Sequence, residues 1–462
     1  MTESKIYLSI DIGASSGRHI VSRLEGGKLR LSEVYRFPNG AEKKDGRLFW
    51  NADALFSEIV NGLKAAKEKG FTPSYVGIDT WAVDYALLDK EDKPIGGVYS
   101  YRDGRGAAIK EEAHAVLPFS ELYRRTGIQY APFNTLYQLA DDKKTGRLSE
   151  AETFLMLPDY FNFLLTGVKK QEYTNATSTG MVNAASHEWD EIILSSFGFP
   201  KKLFGALSQP GSVVGEVKEE IAREIGYKPT VLLPATHDTA SAVLAAPVQD
   251  GSPYLSSGTW SLLGAEMPFA TVSEDAMRRN YSNEGGLNFT FRLQKNIIGL
   301  WIVQQIRKEL GDAYSFAELA RLAAEEPTDA VFDVSDEIFL APESMLEAVR
   351  SRIGERSVGE TCYSVFRSLA KGYAAALNEL EAISGKRFDC LHIIGGGCQN
   401  ELLSRLTAKE TGKKVVSGPV EATAIGNAIM QRIATGEIED LASAREIIKN
   451  SFEIKEIHYD EI

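Results

Sequence analysis

Two short segments, about half a chain apart, constrain this sequence more than anything else in it. Ile6-Tyr7-Leu8-Ser9-Ile10 alternates and runs into Asp11-Ile12-Gly13-Ala14-Ser15-Ser16-Gly17, and Arg18–Leu24 then reads as a returning strand. Pro253–Gly264 repeats that grammar: a strand, a tight polar turn at Gly258-Thr259-Trp260, and a second strand. Tyr7-Leu8-Ser9 even recurs as Tyr254-Leu255-Ser256, although three residues alone match by chance. The paired hairpins predict a duplicated, two-lobed architecture.

Between the hairpins the pattern is α/β. Asn51 or Asp53 caps a helix whose Leu55, Ile59, Leu63 and Ala66 share one face, and Gly70 closes it. Tyr75–Asp79 and Tyr85–Asp89 read as buried strands, so meander and helix–strand alternation together predict a mixed β-sheet with flanking helices in each lobe. Late in the chain, Val365, Leu369, Leu377, Leu380 and Ile383 lie on a long helix stopped by Gly385. The strand Leu391–Ile394 enters Gly395-Gly396-Gly397, a helix starts near Glu401, Val415-Val416 is a strand, and Glu421–Ala434 is a helix of small residues. Pro247–Pro253 marks the boundary, giving an N-terminal lobe 1–246, a C-terminal lobe 247–440 and a helical tail 441–462.

Charge narrows the function classes. Lys and Arg number 51 against 64 Asp and Glu, a net charge of −13, which argues against a nucleic-acid-binding surface. A small anion remains possible, because backbone N–H groups hold phosphate without net positive charge. Cys362, Cys390 and Cys398 form neither a disulfide framework nor a metal-ligand spacing, and the first residues carry no apolar leader. Uncharged stretches such as Tyr173–His187 are too rich in Ser, Thr and Asn to cross a bilayer. These features predict a cytoplasmic protein without membrane contact.

Chemistry concentrates at a few places. Gly13-Ala14-Ser15-Ser16-Gly17 fits the G-x-S-x-G of a hydrolase elbow, but that motif needs a helix after the serine, and a strand follows here. The segment is either a plain β-turn or a phosphate-binding hairpin, with backbone N–H groups and the Ser15 and Ser16 hydroxyls as donors, Arg18 as charge, and Asp11 near a hydrated Mg²⁺. Gly258-Thr259 is the matching turn of the second lobe. His237-Asp238-Thr239 opens a helix, where Asp238 is either a helix-capping residue or a general base. Asp79, Asp84, Arg102 and Asp103 stand at strand ends or in loops as candidate polyol contacts.

Taken together, DIGASSGR (11–18), GIDTWAVD (77–84), GIQYAPFNTLYQL (127–139), HDTASA (237–242), YLSSGTWSLL (254–263), KNIIGLW (295–301), IGGGCQN (394–400) and GPVEATAIGN (418–427) resemble the rhamnulokinase family of the FGGY carbohydrate kinases, over about residues 5–435. The resemblance implies the two-lobed actin-like ATPase (ribonuclease H-like) fold, with ATP and sugar in the interlobe cleft. It implies phosphoryl transfer from ATP to the 1-hydroxyl of L-rhamnulose, with L-fuculose or L-xylulose as the alternative ketose. It places ATP on Ala14, Ser15, Ser16, Gly17, Arg18, Thr259, Gln304 and Gly396, and Mg²⁺ near Asp11 through water. It places the ketose on Ala82, His237, Thr239 and Asn296, and makes Asp238 the base. The family has Gly where Ala82 stands, so this chain carries an extra methyl group at a sugar-contact position. Its partners would be small molecules only, and the chain a monomer or small homo-oligomer.

Overall fold

A computed structural model describes residues 5–248, 251–340 and 342–459. Part of the predicted boundary, residues 249–250, lies outside them. The chain divides into two compact units. Unit 1 comprises Met1–Ala245, Met267–Arg292 and Thr423–Ser451, and unit 2 comprises Ala246–Glu266, Leu293–Ala422 and Phe452–Ile462.

Unit 1 is built on a sheet of six strands: β1 (Tyr7–Ile12), β2 (Ser16–Glu25), β3 (Lys28–Pro38), β4 (Tyr75–Thr80), β5 (Val213–Glu216) and β6 (Thr230–Leu232), in the order β5-β6-β4-β1-β2-β3. β1, β2 and β3 are the antiparallel meander, β4 runs parallel to both β1 and β6, and β5 closes the edge antiparallel to β6. Leu8, Ile10, Val76, Ile78 and Val231 enter the core together with Leu55, Ile59, Leu63 and Ala66 of helix α1 (Ala52–Glu68). Asn51 caps that helix, its side chain accepting from the Ala54 N–H at 3.1 Å, as the sequence predicts.

Unit 2 repeats the plan. Its strands are β7 (Pro253–Ser257), β8 (Trp260–Met267), β9 (Phe291–Ile298), β10 (Cys390–Ile394), β11 (Lys414–Ser417) and β12 (Lys455–Ile457), in the order β9-β8-β7-β10-β11-β12. Again a hairpin (β7–β8) is followed outward by two parallel neighbours and an antiparallel edge strand. The predicted duplication is therefore seen in the order and direction of the hairpin and the three strands that follow it outward, and not only in three residues. The long helix spans Val358–Ser384, burying Val365, Leu369, Leu377 and Leu380, and it ends at Gly385 with φ 68°.

The compact units are not contiguous blocks of sequence. The helix Ala422–Ala434 packs into unit 1, where Asn427 Nδ2 donates to the Gly77 carbonyl at 3.1 Å and Gln431 Nε2 to the Leu8 carbonyl at 3.1 Å. Its Gly426 lies against the Ser241 backbone so closely that a Cβ there would come within 1.7 Å of the Ser241 carbonyl oxygen. Small residues at one face of a helix are legible in a sequence; the sheet they will lie against is not.

Candidate active site

In unit 1 the functional side chains collect at the ends of β1 and β4. Asp11 closes β1 and stands opposite Arg18 of β2 in the antiparallel register. Arg18 donates to Asp11 Oδ2 from Nε at 3.0 Å and from Nη2 at 2.8 Å. Between them the turn is tightly held: the Gly13 N–H donates to the Ser16 carbonyl, the Asn39 N–H to the Ser15 carbonyl, and Asn39 Nδ2 to the Gly13 carbonyl. Three carbonyls of the turn are thus engaged, while Ser15 stands exposed and Ala14 and Ser16 half-buried. Gly17 has a further reason to lack a side chain, since a Cβ would lie 2.1 Å from the Phe37 ring.

Asp79, on β4, pairs in register with Asp11 and is completely buried. Its Oδ2 accepts from Asn427 Nδ2 at 2.6 Å, whereas its Oδ1 has no hydrogen-bond partner. Burial raises its pKa well above the ordinary carboxylate range, and the nearby Asp11 and Asp238 charges push the same way.

The end of β4 also fixes the start of the next helix. The Thr80 N–H donates to the Thr236 carbonyl at 3.0 Å, and helix α2 (Asp238–Leu244) begins two residues later. Asp238 Oδ1 accepts from the Thr239 N–H at 2.5 Å and from the Thr239 hydroxyl at 3.1 Å. The N-cap is His237, which makes no side-chain cap bond, so Asp238 is not the capping residue, and its side chain remains 31% exposed. Partial burial raises the Asp238 pKa and the Asp11 charge adds to this, while His237 and the Thr239 donors oppose it. His237 itself is buried, with Nε2 3.4 Å from Asp238 Oδ1. Its Nδ1 faces Glu284 Oε2 at 3.1 Å and Arg292 Nη2 at 3.2 Å. Glu284 and Arg292 escape a reading of the sequence, because nothing in their local pattern links them to a residue about fifty positions away.

The candidate polyol contacts separate into distinct roles. Asp84 is enclosed: its Oδ2 accepts from Trp50 Nε1 at 2.6 Å, Trp81 Nε1 at 2.8 Å and the Tyr101 N–H at 3.1 Å, and its Oδ1 from Gln138 Nε2 at 3.3 Å. Burial pushes its pKa up to about 6 despite these donors. Asp84 is therefore an internal anchor. Ala82, half-buried, begins the turn that Asp84 ends, and between them Val83 adopts φ 70°, a left-handed conformation costly for a β-branched residue. The Thr135 hydroxyl holds that turn by donating to the Val83 carbonyl at 2.7 Å. Asp103 is tied to Arg47 and to the Leu48 N–H, whereas Arg102 lies over the Tyr101 ring.

Unit 2 holds Thr259, Asn296, Gln304 and Gly396. Thr259 forms the β7–β8 turn with Gly258, and its hydroxyl donates to Gln304 Oε1 at 3.3 Å. The same turn seats the helix Trp301–Glu309: the Leu300 N–H donates to the Gly258 carbonyl and the Trp301 N–H to the Thr259 carbonyl. Gly299 permits this approach, since a Cβ would fall 2.7 Å from the Gly258 oxygen. The triple glycine packs on the hairpin as well, with no room for a Cβ at Gly397 against Ser257. Gly396 is exposed and open, and the Asn296 Oδ1 has no partner.

Among the described residues no group of three or more His, Cys, Asp or Glu side chains is placed to hold a metal directly. The arrangement fits a cation that keeps its water shell: Asp11 lies in register beside Asp79, whose Oδ1 has no hydrogen-bond partner. Among the same residues no helix is long and apolar enough to cross a membrane.

The full-length family match defines the chain as an ATP-dependent sugar kinase. The chain belongs to the FGGY family of carbohydrate kinases, matching its N-terminal domain over residues 6–245 and its C-terminal domain over residues 254–435. It is 46% identical over 456 residues to the rhamnulokinase of Halalkalibacterium halodurans, covering 97% of each chain. Identity to the rhamnulokinase of Bacillus subtilis is 41% over 459 residues, covering 97% of this chain and 94% of that one. Among solved structures, ligand-bound xylulose kinase from Lactobacillus acidophilus shares the fold with a TM-score of 0.82 at 16% identity, covering 99% of this chain and 96% of that one. Plasmodium falciparum glycerol kinase with ADP superposes with a TM-score of 0.77 at 17% identity, over 98% of this chain and 94% of that one.

Proposed function

We propose that the protein transfers the γ-phosphoryl group of ATP to the 1-hydroxyl of L-rhamnulose, giving L-rhamnulose 1-phosphate and ADP. The observation that carries this reading is Asp238, a partly exposed carboxylate beside His237, in a chain similar to rhamnulokinases over nearly its whole length. In this reading Asp238 accepts the proton of the 1-hydroxyl as its oxygen forms a bond to the γ-phosphorus, and the bond to the β-phosphate oxygen breaks to release ADP. His237, Thr239, Asn296 and the Ala82 turn hold the ketose. Ala14, Ser15, Ser16, Gly17 and Arg18 receive the phosphates, and Thr259, Gln304 and Gly396 the rest of the nucleotide. Asp11 would hold Mg²⁺ through water, and that ion supplies neutralisation of phosphate charge when bound.

We assign the phosphate contacts and, Asn296 apart, the sugar contacts to the lobe 1–246, and the nucleotide contacts to the lobe 247–440. Three free cysteines and the use of ATP support a cytoplasmic site of action.

The test is ATP consumption against L-rhamnulose, L-fuculose, L-xylulose and D-xylulose, with the product identified by phosphorus NMR. The highest kcat/KM is expected for L-rhamnulose, with the phosphate on C1. Absence of turnover on every ketose overturns the proposal; preference for L-fuculose or L-xylulose replaces its substrate.

A further inference from the structure

The segment between β6 and α2, residues 233–237, delivers His237 and Asp238, and Thr236 is its anchor. Thr236 is completely buried, and each of its polar groups is engaged. Its carbonyl accepts from the Thr80 N–H at 3.0 Å and from Asn175 Nδ2 at 3.4 Å. Its N–H donates to Glu172 Oε2 at 3.2 Å, and its hydroxyl donates to the same oxygen at 2.7 Å. Both peptide planes that flank Thr236 are therefore held, and with only two soft dihedrals per residue this sets the direction in which the chain enters His237-Asp238.

Glu172 is also completely buried. It ends the short strand Gln171–Glu172 and caps the helix Tyr173–Thr177, its side chain accepting from the Thr174 N–H at 2.7 Å and the Asn175 N–H at 3.0 Å. The Thr174 hydroxyl donates to it at 2.7 Å, and the Glu172 N–H donates to Asp159 Oδ2 at 3.1 Å. Burial raises the Glu172 pKa, and the Thr174, Thr236 and Asn175 donors oppose that rise.

Capping alone does not account for this residue. Ser, Thr, Asp and Asn are the usual caps, because a short side chain reaches the N–H groups of the first turn. An Asp here would cap the helix and keep the charge. The additional methylene of Glu172 carries its carboxylate on to Thr236, 64 positions further along the chain. Stability is a poor reason for that reach, since desolvation of a buried carboxylate offsets much of what neutral donors return.

We propose that Glu172 is a positioning residue which, by holding the N–H and hydroxyl of Thr236, sets the place of His237 and Asp238 at the start of α2 for proton transfer from the sugar hydroxyl. It acts through Thr236 and not by contact with the sugar. The inference rests on the assignment of Asp238 as base.

Glu172→Asp separates this role from capping, because it keeps the charge and the cap but withdraws the carboxylate from Thr236. With thermal denaturation confirming the fold, kcat is expected to fall about tenfold or more while KM for ATP stays within about twofold, the scale of a lost charge-assisted bond or a small misplacement of the base. Thr236→Val, which removes only the hydroxyl donor, should fall in the same direction, and Thr236→Ser should restore the rate. In an Asp238→Asn background, Glu172→Asp should cost less than about twofold more, because residues that act through one group are not additive. Amide hydrogen exchange at Thr236–Asp238 should accelerate in Glu172→Asp, with exchange in the β1–β2 hairpin unchanged.

Wild-type kcat in a folded Glu172→Asp protein overturns the proposal and leaves Glu172 as a cap. Losses that multiply in the Glu172→Asp, Asp238→Asn double variant overturn it equally. Should Glu172→Asp fail to fold, the Thr236 pair decides: equal rates in Thr236→Val and Thr236→Ser reject the proposal. Absence of turnover by the wild-type protein on any ketose strikes the kinase assignment instead, and unchanged exchange at Thr236 in Glu172→Asp would then still refute the hold of Glu172 on the segment.

Discussion

Arg18 reaches across the first hairpin and grips the carboxylate of Asp11, with Nη2 2.8 Å from Oδ2. The pair is cross-strand and in register, so the strand pairing that builds the sheet also aims the carboxylate beside Asp79. Arg18 is partly exposed, with 24% of its side chain accessible, and an exposed guanidinium next to a phosphate-sized turn can exchange a carboxylate for a phosphate oxygen. Arg18→Ala is therefore expected to raise KM for ATP about tenfold, the scale of one charge-assisted bond, with KM for the ketose nearly unchanged. Asp11→Asn should lower kcat by about a hundredfold by removing the carboxylate proposed to hold Mg²⁺ through water. Thermal denaturation checks that both variants fold, and steady-state kinetics in each substrate separates the two effects.

Asp238→Asn removes the carboxylate proposed as the base while preserving shape. A loss of about 10²–10⁴ in kcat is expected, the range assigned to general-base catalysis, with KM for ATP little changed. Burial and the Asp11 charge raise the pKa of Asp238, and the base works only when deprotonated. The rate should therefore rise with pH through a midpoint above the ordinary carboxylate range, and the residual rate of the variant should lack that acid limb. A wild-type limb at or below pH 4 would contradict the assignment.

Asp84 makes the opposite kind of prediction, about stability. Its pKa is pushed up to about 6 in the folded protein, above the value of the unfolded chain. The group therefore contributes stability that is fully present below about pH 4 and is lost as the pH rises through its folded value. Relative to Asp84→Asn, the wild-type protein should lose up to about 3 kcal/mol between pH 4 and pH 7. Denaturant titrations of both proteins across that range measure the difference, and parallel curves would show that Asp84 does not titrate there.

Gly426→Ala tests the join between the late helix and α2. A methyl group would meet the Ser241 carbonyl at 1.7 Å, a backbone atom that cannot rotate away. The helices must separate, at a cost of roughly 1–3 kcal/mol for such overpacking. A lowered melting temperature is expected, accompanied by a raised ketose KM, because Ser241 lies one helical turn beyond Asp238. An unchanged melting temperature would mean that the helices do not pack this closely in solution.

Much of this molecule is determined by its sequence alone, because the relevant signals are local. Hairpin turns need glycine and small polar residues within a few positions, helix starts need a cap such as Asn51, and helix ends need a left-handed residue such as Gly385. The turns at Gly13–Gly17 and Gly258-Thr259, the helix opening at Asp238 and the glycine run at 395–397 are all legible for that reason. The reach of Glu284 to His237, the enclosure of Asp84 by Trp50 and Trp81, and the return of the helix Ala422–Ala434 to the first unit are decided only by the tertiary structure. Each joins residues through burial, where desolvation sets both partner and pKa, and burial depends on how distant segments pack rather than on any pattern along the chain.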